Sequence, residues 1–485
     1  MRILLINPPA MEVYGPYKSA ARVVAQPQMP LGLCYIGAAL EQCGHQVSII
    51  DCDVDKLGIS QVVDKVGELY PDLVGVTATT PLYRNACHIL SLVKERHKGV
   101  ITVLGGYHLT ALPLEAMAHC AVDYGVYGEG EETIVELVEA LERGTGVGEV
   151  RGILYRRDGE VVMNPPRPLI SDLDEIPFPA RHLLRCQRYL WSVPGKGWQP
   201  VTAIVTQRGC PYPCVFCSVR TMFPRVRYRR VEHIVNEIEH IVTDLGIDHI
   251  QFQDDTLTLK TEKVVGMCEE IKRRKLRFTW EGYTRPDRIT KDLLKTMKEV
   301  GLVRISFGVE SGNQRILDAI KKGATLEQYR RAYEWCDELG LETRCSVMLG
   351  HPFETRETVK QTIAFLCSLK VHQAYINIAM PYPGSALLEM ARAGYGGLRL
   401  LTEDWGEYRR YGNAVMEVND LTREDLIWLQ KWAYLKFYLR PHIVYYNLKR
   451  AGLKAAFINV MAFVASLFKP LNLGWPAAHH DWNLG

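Results

Sequence analysis

Three cysteines form the densest group of metal-binding side chains in the sequence. Cys210, Cys214 and Cys217 lie in the segment QRGCPYPCVFCS, directly after a β-branched run over 201–206. Glycine and two prolines favour a loop here, and a loop lets three thiols converge, whereas a strand sends alternate side chains to opposite faces. Because thiolates directed at one point require a metal, the spacing predicts a metal centre.

The identity of this metal depends on the missing fourth ligand. Zinc normally takes four Cys or His ligands, but the next histidine, His233, lies in a predicted helical segment rather than in a second ligand pair. A [4Fe-4S] cluster accepts three protein thiolates and leaves one iron for a small molecule. We therefore interpret the trio as a cluster site, with zinc or a chance arrangement as the alternatives.

The first 145 residues alternate short apolar runs with amphipathic helical patterns such as 33–42 and 86–96. This alternation is typical of βαβ units in a doubly wound, Rossmann-like (flavodoxin-like) α/β domain, whose ligands bind outside the carboxyl ends of the strands. The predicted strands are 3–6, 47–50, 73–76, 101–104 and 124–127.

The rest of the chain divides into three parts. Residues 146–200 contain several Pro and Gly clusters and are interpreted as a linker and cap. Residues 201–390 resume the alternation and predict a partial (β/α)6 TIM-type barrel, functional at its strand carboxyl ends. Residues 391–485 predict a helical carboxy-terminal region. The six barrel strands are 201–206, 249–252, 278–281, 304–308, 343–348 and 373–379.

A CxxxCxxC loop after the first strand of a partial barrel resembles the hallmark of the radical S-adenosylmethionine (SAM) enzymes. A doubly wound domain before the barrel resembles the cobalamin (B12)-binding domain of one class of these enzymes. The resemblance covers residues 1 to about 390. It implies that the cysteines hold a [4Fe-4S] cluster whose free iron binds SAM, and that one electron cleaves SAM to a 5′-deoxyadenosyl radical. Cobalamin is the implied second cofactor, and a domain that has lost the vitamin is the alternative.

The resemblance assigns SAM-binding roles to residues near the cysteines, each with a structural alternative. Phe216 would pack on the adenine or in the core. Asp254 or Asp255, after the second barrel strand, would meet the methionine amine or cap the helix predicted from Thr261.

Further SAM contacts are implied along later barrel strands. Glu310 and Ser311 would bind the ribose and carboxylate, or only form a turn. Arg344 would pair with the SAM carboxylate or with a carboxylate of the protein. Gly350 and Pro383 lie in loops that would bring backbone close to adenosine, because glycine lacks a Cβ, or that reflect turn chemistry alone.

The amino-terminal domain offers candidate contacts for the cobalamin nucleotide tail at three strand ends. His108 is a candidate ligand or a structural residue, and the chain lacks the DxHxxG pattern that supplies a lower axial histidine in cobalamin mutases. We therefore expect cobalamin to bind without a protein histidine. The other candidates are Thr77, Thr79, Gly105, Gly106, Gly128 and Glu129.

Composition and charge restrict the partners. The 58 Lys and Arg residues nearly balance 55 Asp and Glu residues, so a nucleic-acid-binding surface is not expected. A short apolar start and 13 scattered cysteines predict reduced thiols in a cytoplasmic protein. A basic run of four arginines follows the cysteines and is interpreted as a solvated face or as a contact for an anionic substrate. These are Arg225, Arg227, Arg229 and Arg230.

With both cofactors, the resemblance implies methyl transfer to an unactivated carbon or phosphorus centre, using one SAM as methyl source and another as radical source. A cyclisation, dehydration or other rearrangement without methyl transfer is the alternative within the class, and a non-catalytic Fe-S redox sensor is the alternative outside it. The apolar stretch 455–468 and the aromatic segment before it suggest a lipid, isoprenoid or tetrapyrrole substrate, with peripheral membrane contact, or a helix packed on the barrel. A flavodoxin or ferredoxin is the implied electron donor.

Overall fold

The computed structural model describes residues 1–10, 27–409 and 411–449. The amino-terminal half is built on a seven-stranded sheet in the order β2-β1-β3-β4-β5-β6-β7. The first five strands are parallel and match the predicted ones. These strands are β1 (Arg2–Asn7), β2 (Gln46–Asp51), β3 (Leu73–Thr77), β4 (Ile101–Gly105), β5 (Tyr124–Val126), β6 (Ile153–Arg157) and β7 (Glu160–Met163).

Both faces of this sheet are covered, which explains why its strands are continuous apolar runs. Ile3 and Leu5 pack into one core, while Leu4 and Ile6 pack into the core on the other face. The strand order is that of a doubly wound domain with a switch point between β1 and β3. The helices are α1 (Leu31–Gln42), α2 (Cys52–Asp55), α3 (Ile59–Leu69), α4 (Tyr83–Arg96), α5 (Tyr107–Ala111), α6 (Pro113–Ala118) and α7 (Glu131–Arg143).

The segment interpreted as a linker is partly regular structure. The β6–β7 hairpin pairs antiparallel to β5 and extends the first sheet. A second hairpin, β8 (Leu190–Val193) and β9 (Gly197–Pro200), lies against the amino-terminal end of the barrel, where the Ser192 carbonyl accepts a hydrogen bond from Arg304. The segment 146–200, interpreted as a linker and cap, therefore contains two regular hairpins.

The second half contains six parallel strands in sequential order, as predicted for a partial barrel. A short antiparallel pair, β11 (Gln207–Arg208) and β12 (Arg227–Tyr228), brackets the cysteine loop. The barrel strands are β10 (Thr202–Ile204), β13 (His249–Phe252), β14 (Thr279–Thr284), β15 (Leu302–Glu310), β16 (Glu342–Leu349) and β17 (Gln373–Ile378).

Helices cover the outside of the barrel, and their apolar residues form one core with the outward-facing residues of the strands. The later residues are not entirely helical as predicted, because β18 (Leu398–Leu400) and β19 (Met416–Val418) form an antiparallel pair. The helices are α8 (Val219–Met222), α9 (Val231–Thr243), α10 (Thr261–Arg273), α11 (Lys291–Glu299), α12 (Gln314–Ala319), α13 (Leu326–Glu338), α14 (Arg356–Ser368), α15 (Ala386–Arg392) and α16 (Arg423–Tyr438).

Two observations concern the predicted membrane contact. Within the described ranges, no helix combines the length and the hydrophobicity needed to cross a bilayer. The apolar stretch 455–468, on which the prediction of a lipid-facing segment depends, lies outside the described residues.

Candidate active site

The cysteine loop is held at its start and in its middle. Gly209 has a φ of +94°, and a Cβ on it would lie 2.7 Å from the Arg225 carbonyl oxygen, so only glycine fits this crossing of two backbone segments. In the middle of the loop, the buried Val215 donates its N–H to the Ile320 carbonyl at 3.1 Å. Residues 209–218 form no helix or strand, as predicted.

The three thiols lie within electrostatic range of one another. Burial, together with the neighbouring Asp255, Cys214 and Cys210, raises the pKa of the Cys217 thiol to about 11 against a backbone hydrogen bond that lowers it. Burial also raises the pKa of Cys214, whereas Lys322 and Arg285 lower it. Buried thiols such as Cys214 and Cys217 need a nearby positive charge to become thiolates, and bound iron would supply that charge.

The donor set of the loop bears on which metal group it could hold. Among the described residues, no group of three or more His, Cys, Asp or Glu side chains is placed to hold a metal ion. Cys210, Cys214 and Cys217 are three thiols on one loop, and a [4Fe-4S] cluster accepts three protein thiolates and leaves one iron free. The chemistry of these donors therefore fits such a cluster.

Asp254 fixes the backbone between the first barrel strand and the cysteine loop. Its Oδ1 accepts hydrogen bonds from the Thr206 N–H at 2.8 Å, the Thr206 hydroxyl at 2.9 Å and the Gln207 N–H at 2.9 Å. Burial raises its pKa to about 7. The residue before α10 is Lys260, so the predicted alternative of helix capping is wrong. Asp254 instead fixes the course of the backbone into the cysteine loop, and its buried position does not support the predicted contact with SAM.

Asp255 is the better candidate for a ligand role. Its carboxyl is reachable by solvent, yet surrounding protein raises its pKa to about 6. It lies within electrostatic range of both Cys217 and Tyr107, the latter from the amino-terminal domain. Tyr107 is 42% exposed and packs edge-on against Phe223. A carboxyl group therefore borders an open space between the cysteine loop and the first domain.

Lys322 is a functional candidate that the sequence interpretation missed. It is buried, and its Nζ donates to Glu310 Oε1 at 3.0 Å and lies 5.9 Å from the centre of the Phe216 ring. Phe216 is partly buried and its ring centre is 5.9 Å from that of His351. The pair Glu310–Lys322 thus lies beside the aromatic residue of the cysteine loop, but Lys322 stands alone in the sequence without a motif around it.

Two predicted SAM contacts are engaged within the protein. Ser311 is fully buried, its hydroxyl lies 3.1 Å from that of Thr362, and it accepts the Asn313 N–H, which supports the alternative of turn formation. Arg344 lies in the amino-terminal half of β16, where its Nη1 donates to Glu281 at 2.9 Å. This pairing supports the alternative in which Arg344 binds a carboxylate of the protein. Its position does not favour the predicted contact with the SAM carboxylate, because the functional end of the barrel is the opposite one.

The loops that contain Gly350 and Pro383 reach the rim of the barrel. Gly350 has a φ of +95°, and its N–H donates to the buried carboxylate of Glu354. Pro383 is buried, and the neighbouring Gly384 packs against Thr221 of α8, which donates to its carbonyl at 3.0 Å. This second loop therefore supports the helix after the cysteines.

Glu354 gives a pH-dependent prediction for the first of these loops. Its carboxyl accepts from the Gly350 and His351 N–H groups, and burial raises its pKa from an ordinary 4.5 to about 7. A raised pKa in the folded state adds stability that is complete below about pH 4.5 and is lost as the pH rises through about 7. We expect the Glu354→Gln variant, which keeps an acceptor, to lose less stability than the wild type between pH 5 and 8 in thermal unfolding. Parallel pH profiles of the two proteins would contradict this assignment.

The first domain presents an open rim at the carboxyl ends of β3 and β5. Thr79 is exposed there, Thr77 is partly exposed, and a Cβ on Gly128 would meet no atom within 4 Å. Gly105 borders the same rim, since a Cβ placed on it would meet only the Val126 carbonyl oxygen, at 3.7 Å. These positions fit a cradle for the cobalamin tail.

Gly106 and His108 serve the packing of the domain instead. A Cβ on Gly106 would lie 2.7 Å from the Ala78 carbonyl oxygen, so glycine is required by a close approach of two loops rather than by a ligand. His108 is 1% exposed and lies between the rings of Tyr83 and Trp405, at 4.1 and 5.6 Å between ring centres. Burial lowers its pKa to about 4. The structural interpretation of His108 is supported, and its role as a cobalamin contact is not.

Glu129 joins the two domains rather than lining the rim. It accepts a bidentate pair from Arg227 at 2.7 and 2.9 Å, a bond from Arg208 at 2.7 Å and the Ile170 N–H at 2.9 Å. Burial alone raises the pKa of Glu129, but Arg227 and Arg208 outweigh it and hold the pKa below its usual value. Because both carboxylate oxygens bind arginines that bracket the cysteine loop, this arrangement does not support the predicted cobalamin contact. Glu129, Arg208 and Arg227 are called the interdomain clamp below.

The other arginines of the basic run are also mostly engaged. Arg229 pairs with the fully buried Glu237, and Arg230 donates to Asp174 at 2.7 Å. Only Arg225 of the four is exposed without an ion pair within the part of the chain that the structure describes. The interpretation as a solvated face is therefore wrong for Arg227 and Arg229, whose guanidinium groups are largely buried.

Comparison with known proteins identifies the family. Residues 204–366 match the model of the radical SAM superfamily, and residues 17–138 match that of the B12 binding domain. The chain is 36% identical to the uncharacterized methyltransferase PH0819 of Pyrococcus horikoshii over 92% of its own length and 94% of the relative. The chain belongs to the radical SAM enzymes with a B12-binding domain. The predicted cofactors, a [4Fe-4S] cluster, SAM and cobalamin, are those of this family.

Two further comparisons of this radical SAM enzyme are with a second relative and with a solved structure. It is 30% identical to the anaerobic magnesium-protoporphyrin IX monomethyl ester cyclase of Rubrivivax gelatinosus over 92% of the chain and 79% of the cyclase. Its fold matches radical SAM methyltransferase TsrM of Kitasatospora setae, solved with cobalamin and a [4Fe-4S] cluster bound, with a TM-score of 0.70 at 19% identity over 96% of this chain and 100% of TsrM. The predicted fold, a doubly wound domain followed by a partial barrel, is confirmed.

Proposed function

We propose that this enzyme transfers a methyl group to an unactivated carbon or phosphorus centre of a small molecule. The observation that carries the proposal is the packing of Tyr107, from the cobalamin domain, edge-on against Phe223 after the cysteine loop, with Asp255 and Cys217 within electrostatic range. The two cofactor-binding ends therefore face one another across one space. A relative of 36% identity described as a methyltransferase supports this choice.

The residues of the chain have distinct tasks in this proposal. Cys210, Cys214 and Cys217 hold the cluster, and Asp255 receives the amino group of SAM. Glu310 and Lys322 border the same region beside Phe216, with Lys322 providing a buried positive charge. When bound, the cluster and SAM supply a carbon radical, and cobalamin supplies the methyl group.

A second group of residues positions the two halves. The interdomain clamp fixes the residues on both sides of the cysteine loop to the loop after β5. Thr79 and Gly128 on the open rim would contact the cobalamin tail. Because methyl transfer requires the donor and the radical to reach one substrate atom, a rigid separation between the two domains favours the reaction.

Ring closure without methyl transfer is the second candidate, since the Rubrivivax gelatinosus relative of 30% identity is a cyclase. The two reactions consume SAM differently. Methyl transfer yields S-adenosylhomocysteine together with 5′-deoxyadenosine, whereas a radical ring closure yields only 5′-deoxyadenosine. The product ratio therefore separates them.

The experiment uses SAM with a ¹³CD₃ methyl group and a small-molecule extract of the source cells, under anaerobic conditions with a reductant. We expect mass spectrometry to find a labelled small molecule, and S-adenosylhomocysteine in an amount comparable to 5′-deoxyadenosine. The same reaction without cobalamin serves as the control. Formation of 5′-deoxyadenosine with neither a labelled product nor S-adenosylhomocysteine would refute methyl transfer and favour ring closure.

We also propose a cytoplasmic location and a substrate drawn from lipids, isoprenoids or tetrapyrroles. All 13 cysteines are free, which supports a reducing compartment. The cyclase relative acts on a tetrapyrrole, which favours that class among the three. The balanced charge of the chain supports the absence of a nucleic-acid partner.

A further inference from the structure

The outer side of the cysteine loop reaches the protein surface. Pro211 and Pro213 are exposed, and between them the ring of Tyr212 lies 3.5 Å below the guanidinium carbon of Arg285 and 5.7 Å from that of Arg288. Arg285 is buried, whereas Arg288 is exposed. One layer of residues therefore separates solvent from the cysteines on this side.

Two lysines lie beside the strand that pairs with the start of the cysteine loop. The Lys260 and Lys263 Nζ atoms lie 4.4 and 5.9 Å from the centre of the Tyr228 ring. Tyr228 pairs with Gln207 at the start of the loop. Burial raises the pKa of Tyr228, Arg288 lowers it and Cys210 raises it, which places this tyrosine within electrostatic range of a cluster ligand and of Arg288.

These residues form one continuous basic surface over the cysteine loop, which we call the basic rim: Tyr212, Tyr228, Lys260, Lys263 and Arg288. The nearby carboxylate of Asp287 accepts from Arg285 at 2.9 Å and from the Tyr212 hydroxyl at 3.2 Å, and it lies 3.6 Å from Arg288. Two arginines therefore share its single negative charge, and with Lys260 and Lys263 the rim keeps a net positive charge. It contains two aromatic rings next to the ligand loop, which shortens a route for electrons.

The other approach to the cysteines is closed to a protein partner. Tyr107 and Phe223 lie on the side that faces the first domain, and the interdomain clamp joins the domains there. SAM and the substrate use the remaining space within that region. An electron from outside must therefore enter through the exposed side of the loop.

We propose that the basic rim is the docking surface for an acidic, low-potential electron-transfer protein of the flavodoxin or ferredoxin type. This inference rests on the proposed function only through the need for one electron for each SAM cleaved. In that step the reduced donor loses one electron and the cluster of this chain gains it, with no other bond formed or broken. Charge complementarity selects an acidic partner and raises its rate of association.

The first test is a binding measurement that does not depend on activity. A purified acidic bacterial flavodoxin is mixed with the reconstituted enzyme at low ionic strength, and a carbodiimide reagent joins lysines to contacting carboxylates. We expect cross-links from the exposed Lys260 to flavodoxin and, by calorimetry, a dissociation constant that rises steeply with salt. Cross-links that map only to lysines elsewhere on the chain would overturn the proposal.

The second test uses charge reversal on the two flanks of the rim. In Lys260→Glu and, separately, in Arg288→Glu, we expect flavodoxin-driven formation of 5′-deoxyadenosine at limiting flavodoxin to fall about tenfold. The same formation driven by dithionite should stay within about twofold, since it does not require docking. Lys98→Glu, an exposed lysine of the first domain, is the matched control.

The outcomes separate this proposal from the proposed function. Equal flavodoxin-driven rates in Lys260→Glu, Arg288→Glu and Lys98→Glu would overturn the docking surface while leaving the chemistry intact. Failure of dithionite to produce 5′-deoxyadenosine in the wild type would instead refute the proposed function. Binding of anionic vesicles of phosphatidylglycerol at the rim, with no flavodoxin binding, would replace the protein partner by a membrane surface.

Discussion

In the Cys214→Ala variant, formation of 5′-deoxyadenosine from SAM is expected to fall to less than about one-thousandth of the wild-type rate. Removal of one thiolate leaves two ligands, which cannot hold a cluster with one free iron. The variant should also lose most of its iron and sulfide and the brown colour of the reconstituted protein. Anaerobic reconstitution followed by iron analysis and product quantification measures both effects.

The matched control is Cys43→Ala, which removes an exposed cysteine of the first domain. This variant should keep its iron content and its rate. An iron content that stays complete in Cys214→Ala, with SAM cleavage preserved, would show that this cysteine is not a ligand. Equal iron loss in both variants would indicate that reconstitution, rather than ligation, limits the measurement.

Replacement of Glu129 by leucine is expected to lower the free energy of unfolding by about 3 to 5 kcal/mol, because it leaves buried arginines without their carboxylate. Arg227 would lose both of its ion-pair bonds, while Arg208 would keep Glu131. Glu129 is 7% exposed, so water cannot replace the lost partner without entering the domain boundary. Denaturant unfolding of the apoprotein measures the effect, as a shift of the transition in which the first domain unfolds.

A carboxylate on the neighbouring helix provides the comparison for Glu129. Glu139 lies on the exposed side of α7 and pairs with Arg143 at 3.0 Å, and its replacement by alanine should change the stability by less than about 0.5 kcal/mol. The clamp also positions the domains, so Glu129→Gln should shift the ratio of S-adenosylhomocysteine to 5′-deoxyadenosine even where the protein remains folded. A Glu129→Leu protein as stable as Glu139→Ala would contradict the clamp.

The strands could be predicted from the sequence because their burial on both faces leaves continuous apolar runs. The strand over 249–252 agrees with β13 in both bounds, and the others differ only at their ends. The β6–β7 hairpin could have been predicted, because Asp158 and Gly159 between its strands form a typical two-residue hairpin turn in which both residues have positive φ. The pair β18 and β19 leaves a weaker signal, since each strand has only three residues.

The location of the site could be predicted more securely than the task of each residue. Carboxyl ends of parallel strands meet at one edge, so the cysteines and the acidic pair after β13 were expected to lie together. The ion-pair partner of each charged residue, however, lies far from it in the sequence. Glu129 binds Arg208 and Arg227, which lie 79 and 98 residues away, and Arg344 binds Glu281, 63 residues away. No local pattern in the sequence records these pairs.

The central claim is that three cysteines hold a cluster with one iron open to SAM, and electron paramagnetic resonance of the dithionite-reduced protein tests it most directly. The spectrum is recorded before and after SAM is added to the anaerobically reconstituted wild type. We predict the signal of a reduced [4Fe-4S] cluster whose g-values change when SAM binds, and no such signal in Cys214→Ala. A wild-type protein without a cluster signal, or with a spectrum that SAM leaves unchanged, would contradict the account.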